Sequence, residues 1–181
     1  LGSNLILTSR KNGQLDSFKY DLKIRYSIEC AIEFFDLLDF KSHKLFYKNL
    51  TIKPDIVITC IGYLDDQTIS ENNFDETLKS IQSNFTGLVS ILSIVANDFE
   101  ERKSGIIVGI SSVAGDRGRG SNYIYGSSKS AFSSYLSGLR NRLYKNGVRV
   151  ITVKPGFIKT KMTKHLKLPD ILTSSTENIS S

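Results

Sequence analysis

The stretch from Gly105 to Phe132, GIIVGISSVAGDRGRGSNYIYGSSKSAF, constrains this chain more than any other. Gly105 to Ile110 is a short β-branched run bounded by glycine, the pattern of a strand covered on both faces. Ser111 and Ser112 follow at its C-terminal end, where open α/β sheets place their ligand crevices. The loop from Gly115 to Gly120 carries too much glycine and charge to extend either neighbour. From Asn122 a helical period resumes, which sets Tyr125 and Lys129 one turn apart on one face.

That order of residues points to proton chemistry. A phenol with an ordinary pKa near ~10 is a poor proton donor or acceptor at neutral pH. A lysine ammonium one turn away favours the phenolate and pulls that value down. A hydroxyl delivered from the strand end, Ser112, can hydrogen-bond the same substrate oxygen that Tyr125 protonates. Of the 8 tyrosines, only Tyr125 has a lysine at the fourth position after it.

ISSVAG (110–115) followed by YGSSK (125–129) resembles the catalytic core of the short-chain dehydrogenase/reductase family. SNFTG around Asn84 resembles the family's Asn-x-x-Gly helix element. VKPGFIKT (153–160) resembles its Pro-Gly turn after the sixth strand. The resemblance implies an α/β fold: a Rossmann-type, doubly wound parallel sheet with helices on both faces, forming one partial NAD(P)-binding domain over residues 1–181. The family's first βα unit, with its glycine-rich turn for the cofactor pyrophosphate, has no counterpart here. Neither do the substrate lid and last strand, since the residues after Leu168 turn polar. The chain is therefore expected to be a piece of a longer protein.

By the same resemblance, Tyr125 donates the proton, Ser112 steadies the substrate oxygen, Lys129 lowers the Tyr125 pKa and binds ribose, and Asn84 anchors a water in the proton path. Tyr125, Lys129, Gly62, Pro155, Gly156, Ile158 and Thr160 would line the nicotinamide side of the cofactor. Asp21 and Leu22, ending a third strand, would meet adenine. After the second strand, Ser9 stands where an acidic residue would accept from a ribose 2′-hydroxyl, and Arg10 follows. A basic residue there suits a 2′-phosphate, so NADP(H) is favoured and NAD(H) stays open. The turn Ile61-Gly62-Tyr63-Leu64 and the loop Gly115–Gly120 resemble the branch of decaprenylphosphoryl-pentose reductases. Arg117 and Arg119 would then pair with the phosphate of a lipid-linked keto-sugar; the alternative is a solvated loop.

Elsewhere the pattern predicts a strand at Leu5–Thr8, a strand at Phe18–Leu22 and a helix over Tyr26–Phe40 with Ile28, Ile32, Phe35 and Leu38 inward. Lys41–Lys53 reads as a basic connection in which His43 is solvated. Asp55–Ile61 reads as a buried strand with Cys60 in the core. Glu71–Glu101 reads as one long helix bent near Thr86-Gly87, residues 122–146 as another helix, and Val148–Val153 as a strand. The two long helices resemble the pair through which family members form dimers and tetramers, so a homodimer or homotetramer is expected of the parent.

Composition narrows the class. A hydrophobic share of 40% and a charged share of 23% are ordinary for a globular domain. No apolar run is long enough to span a bilayer, and the first residues do not form a signal peptide. Cys30 and Cys60 make neither a disulfide framework nor a metal site, so a reducing, cytoplasmic setting is expected. The net charge of +6 raises nucleic acid as a partner, but the basic residues are scattered and no aromatic-basic ribbon accompanies them. The densest basic patch, residues 160–167, suggests at most a peripheral membrane contact. The competing reading of a different class is a non-catalytic remnant that kept the catalytic residues without the phosphate-binding turn.

Overall fold

The computed structural model describes residues 2–11, 13–160, 162–163 and 173–175. The chain divides into two units, Leu1–Pro54 and Asp55–Ser181.

In the first unit, β1 (Leu5–Ser9) and β2 (Cys30–Phe34) pair in parallel, with Leu7 opposite Ile32. The crossover between them is α1 (Asp16–Tyr26), and α2 (His43–Asn49) follows β2. Two expectations are overturned here. Phe18–Leu22 is not a strand but the middle of α1, where Asp21 holds Arg25 at 2.7 Å across one helical turn. Tyr26–Phe40 is not a helix, because it contains β2. The helical spacing of Ile28, Ile32 and Phe35 coincides with a strand's alternation: Ile28 and Cys30 are buried while Glu29 and Ala31 are exposed. His43 is also not solvated. It is fully buried, with Nε2 3.1 Å from the Asp36 carbonyl and its ring 5.0 Å from Phe35.

In the second unit, β3 (Ile56–Thr59), β4 (Ile106–Ile110) and β5 (Arg149–Val153) form a parallel sheet with β4 in the middle. Val57, Ile107 and Val150 stand side by side in register. Burial alternates along β4 instead of running through it. The face carrying Gly109 meets Leu136 of α6 (Tyr123–Leu143), so close that a Cβ at Gly109 would overlap it. The opposite face leaves Ile56, Ile58 and Ile151 exposed. Cys60, one residue beyond β3, is exposed and not in the core.

Of the expected helix over Glu71–Glu101, residues 74 onward are helical to Arg102, with a π-helical turn inside and a short helix before it. A short α3 (Gln67–Ser70) is capped by Asp66, which accepts from the N–H groups of Thr68 and Ile69. A new cap at Asn73 starts α4 (Phe74–Ile81). A π-helical turn, Gln82–Thr86, then leads into α5 (Gly87–Arg102). The irregularity thus lies just before the expected bend, with Asn84 at its centre. Leu88, Leu92, Val95 and Phe99 of α5 and Phe132, Leu136 and Leu143 of α6 make the core. Ser93 and Tyr135 share a hydrogen bond of 2.9 Å between these helices. Beyond β5, β6 (Phe157–Ile158) pairs in parallel with β7 (Thr173–Ser174). Much of the basic patch at 160–167 lies outside the described residues.

Candidate active site

Ser112 ends the segment after β4, and its backbone is extended before a short 3₁₀ turn, Val113–Gly115. Its Oγ accepts from the Ala114 N–H at 3.1 Å. The turn packs directly on α6. A Cβ at Gly115 would come within 2.6 Å of the Ser130 nitrogen, and one at Gly126 within 2.7 Å of the Ala114 carbonyl oxygen. Both neighbours are backbone and cannot yield. Two bare glycines therefore let the loop and the helix touch, which sets the distance between Ser112 and Tyr125. Ser111 adds a clamp, donating to the Lys129 carbonyl at 3.0 Å and sharing a 2.7 Å hydrogen bond with Ser133.

Tyr125 and Lys129 share the buried face of α6. Burial pushes the Tyr125 phenol up; a hydrogen bond with Ser112 works against this, and the charge of Asp65 adds to it. Burial sets the direction for this phenol, against the expectation that Lys129 pulls it down. Lys129 is 3% exposed, with Nζ 5.8 Å from the Tyr125 ring centre. Its one hydrogen bond goes to the Ile110 carbonyl at 3.1 Å, and among the described residues no carboxylate pairs with it. Desolvation lowers its pKa to about 8.

Asn84 is fully buried and is not a helix surface residue. Its Nδ2 donates to the Tyr63 carbonyl at 2.6 Å and to the Ser80 carbonyl at 2.9 Å, while its Oδ1 accepts from the Tyr63 N–H at 2.9 Å. The carboxamide thereby closes on the turn after β3. A Cβ at Gly62 would lie 3.3 Å from Asn84 Oδ1 and 3.6 Å from Lys129 Nζ. The structure thus brings Ser112, Tyr125, Lys129, Asn84 and Gly62 together.

The other expected residues have separate places. Pro155 accepts from the Val113 N–H at 3.2 Å, tying the turn after β5 to the loop after Ser112. Gly156 has open space where a side chain would stand. Ile158 and Thr160 are stapled by Thr163, whose hydroxyl donates to the Ile158 carbonyl at 2.6 Å and accepts from the Thr160 N–H at 3.1 Å. Arg117 is exposed and Arg119 half-buried, and neither pairs with a described carboxylate; the neighbouring Asp116 is taken by Lys154 at 2.7 Å. Arg10 is exposed just beyond β1, where Ser9 Oγ accepts from the Lys11 N–H at 3.1 Å and turns the chain. Asp21 and Leu22 cannot end a strand. The Asp-hydrophobic pair that does follow a strand is Asp36-Leu37, after β2. Sequence reasoning also missed Asp65 and Ser80, which stand behind Asn84.

Residues 1–170 match the family model of the short chain dehydrogenases. The chain belongs to the short-chain dehydrogenase family. It is 30% identical over 166 residues to an uncharacterised oxidoreductase of Mycobacterium tuberculosis (strain H37Rv), covering 90% of this chain and 67% of that protein. An NADP-dependent 3-hydroxy acid dehydrogenase of Schizosaccharomyces pombe is 24% identical over 163 residues, 88% of this chain and 63% of its own length. A short-chain dehydrogenase from Sphingobium yanoikuyae, solved in complex with NADPH, superposes with a TM-score of 0.86 at 23% identity. That superposition covers 95% of this chain and 70% of the solved one. This short-chain dehydrogenase is thus an oxidoreductase by family, with the family's parallel α/β architecture. Among its described residues, no helix is long and apolar enough to cross a membrane, and no three His, Cys, Asp or Glu side chains form a metal-ligating group.

Proposed function

We propose that this chain carries the proton-transfer site of an NADP(H)-dependent carbonyl reductase. The observation that carries the reading is Lys129: a buried ammonium with no carboxylate partner among the described residues, one turn from a phenol that hydrogen-bonds Ser112. A lysine kept for structure would be expected to have a counter-ion, because an unpaired buried charge is strongly destabilising. A lysine kept for chemistry is left available to a ligand.

The residues fit a nicotinamide nucleotide. The bare backbone of Gly62 opens a gap beside Lys129 Nζ that a side chain would crowd. Lys129 and the Gly62 turn would hold the ribose side, with Ile158 and Thr160 on the carboxamide side. When bound, the nucleotide supplies the hydride. The protein's share is the proton. Tyr125 donates its phenolic proton to the carbonyl oxygen as negative charge develops there, and Ser112 donates a hydrogen bond to the same oxygen. General acid help of this kind is worth roughly 10²–10⁴-fold.

Arg10 supports NADP(H) over NAD(H), and the NADP-dependent relative and the NADPH-bound fold neighbour point the same way. For the substrate we infer a small carbonyl compound, with a keto-sugar on a polyprenyl phosphate as the finer version, resting on Arg117 and Arg119. The parent would assemble as a homodimer or homotetramer through the outer faces of α5 and α6.

The test is turnover of a carbonyl substrate with NADPH in the wild-type protein and in Tyr125→Phe. A loss of roughly 10²-fold or more with NADPH binding retained is expected. Unchanged turnover would overturn the reading.

A further inference from the structure

We propose that Asp65 is a positioning residue: its carboxylate, acting through Ser80, fixes the Asn84 carboxamide and with it the Gly62–Tyr63 turn beside Lys129. The inference rests on the proposed function in treating that turn and Lys129 as parts of a cofactor site.

The chain of contacts is buried and directional. Asp65 is 8% exposed, and Ser80 and Asn84 are fully buried. Asp65 Oδ1 accepts from the Ser80 hydroxyl at 3.0 Å. A carboxylate accepts and does not donate, so the Ser80 hydrogen must point toward Asp65 and the oxygen lone pairs must face away from it. Asn84 Nδ2 lies 3.3 Å from that oxygen. Together with the Ser80 and Tyr63 carbonyls, this gives the NH₂ end of the carboxamide three acceptors and no donor. The reverse orientation would set Oδ1 against those three oxygens and the NH₂ group against the Tyr63 N–H. Asp65 therefore sets the polarity of the Ser80 hydroxyl, which joins the Ser80 and Tyr63 carbonyls in orienting the carboxamide whose oxygen lies nearest Gly62.

A capping role does not account for Asp65, because Asp66 caps α3. Nor does saturation of its own hydrogen bonds, since Asp65 Oδ2 is buried without a partner. That carboxylate also acts on Tyr125, where its charge raises the phenol in addition to the larger effect of burial. Lys129, on the same helix, also faces Tyr125, its Nζ 5.8 Å from the ring centre. Around the Tyr63 side chain, Glu76 and Lys79 of α4 hold the phenol oxygen at 2.7 and 3.1 Å. Around Tyr123, Glu71 is bonded at 3.2 Å.

The test uses Asp65→Asn, Ser80→Ala and the double variant, with two readouts that need no turnover. The first is hydrogen exchange at the Tyr63 amide. Ser80→Ala should exchange at least about fivefold faster, corresponding to one lost hydrogen bond; Asp65→Asn, whose amide can donate to Ser80 as well as accept from it, should also exchange faster than wild type, and the double no faster than the worse single. The second is the titration of Tyr125 followed by ¹³Cζ NMR. Asp65→Asn should move its midpoint to lower pH, and Ser80→Ala should leave it in place. Faster exchange spread evenly over the second unit, or an unmoved Tyr125 midpoint in Asp65→Asn, would overturn the proposal. If Asp65→Asn does not fold, Ser80→Ala decides alone: unchanged Tyr63 exchange would reject the chain of contacts. Failure of the reductase reading shows separately, as a Tyr125→Phe protein that still turns over substrate.

Discussion

The two units differ in how deeply they hold their chemistry. In the second unit Ser112, Tyr125, Lys129 and Asn84 hang on a buried frame. Helix α6 buries seven residues, Lys129 among them, and Asn84 has no exposed surface. In the first unit α1 buries none, and Arg10 stands exposed after β1. Proton transfer needs groups held in a dry, fixed geometry, since misplacement by about 1 Å can cost 10²-fold. The 2′-phosphate contact proposed for Arg10 needs only an exposed charge. The frame is strong where the chemistry is demanding and loose where it is not.

The sharpest way to break that comparison is to cut the same kind of side chain from each unit. Leu136→Ala should destabilise by about 2–5 kcal/mol, because Leu136 is fully buried against Gly109. Ile24→Ala, on the 81% exposed surface of α1, should stay within about 0.5 kcal/mol. Denaturant unfolding of both variants measures the difference. Equal losses would mean that the first unit is as tightly built as the second.

Lys129 gives the next largest effect, and its sign is fixed by its environment. The folded value of about 8 lies below the ordinary 10.5, so the unfolded chain binds more protons between those values. Stability should therefore rise as pH climbs through that window. Below pH ~8 the buried ammonium costs on the order of 3 kcal/mol. Lys129→Met should be more stable than wild type near neutral pH and should lose the rise. A flat profile in wild type would contradict the burial of an unpaired charge.

Arg10→Ala is the smallest effect expected. It should weaken NADPH binding by about tenfold, the loss of one exposed charge-assisted contact, and leave NADH binding unchanged. An equal loss for both nucleotides would remove Arg10 from the 2′-phosphate and return the question of NAD(H).

The same contrast explains which parts of the molecule were legible in the sequence. The second unit was readable because its long helix α6 keeps a sustained apolar stripe at Phe132, Leu136, Leu139 and Leu143, and its strands are β-branched. In the first unit only the strand at Leu5–Thr8 was. Helix α1 buries nothing, so Phe18–Leu22 carries no 3.6-residue signal and its aromatics read as strand. Strand β2 was hidden because Ile28, Ile32 and Phe35 satisfy helical spacing within a stretch that alternates. Tyr125, Lys129, Ser112 and Asn84 could be named from their motifs. Asp65 could not, since beside Asp66 it reads as half of an exposed helix cap, and only the fold shows Ser80 against it. Cys60 was misplaced because a strand's last apolar residues need not share its buried face.

The central proposal is that Lys129 is a buried ammonium, unpaired among the described residues, held for a ligand beside Tyr125. The most direct test is an NMR titration of the Lys129 side chain in the cofactor-free protein, with Lys129→Met identifying its signal. The account predicts a midpoint near the value of about 8 set by burial. A midpoint at the ordinary 10.5 would show a solvated or paired lysine and would contradict it.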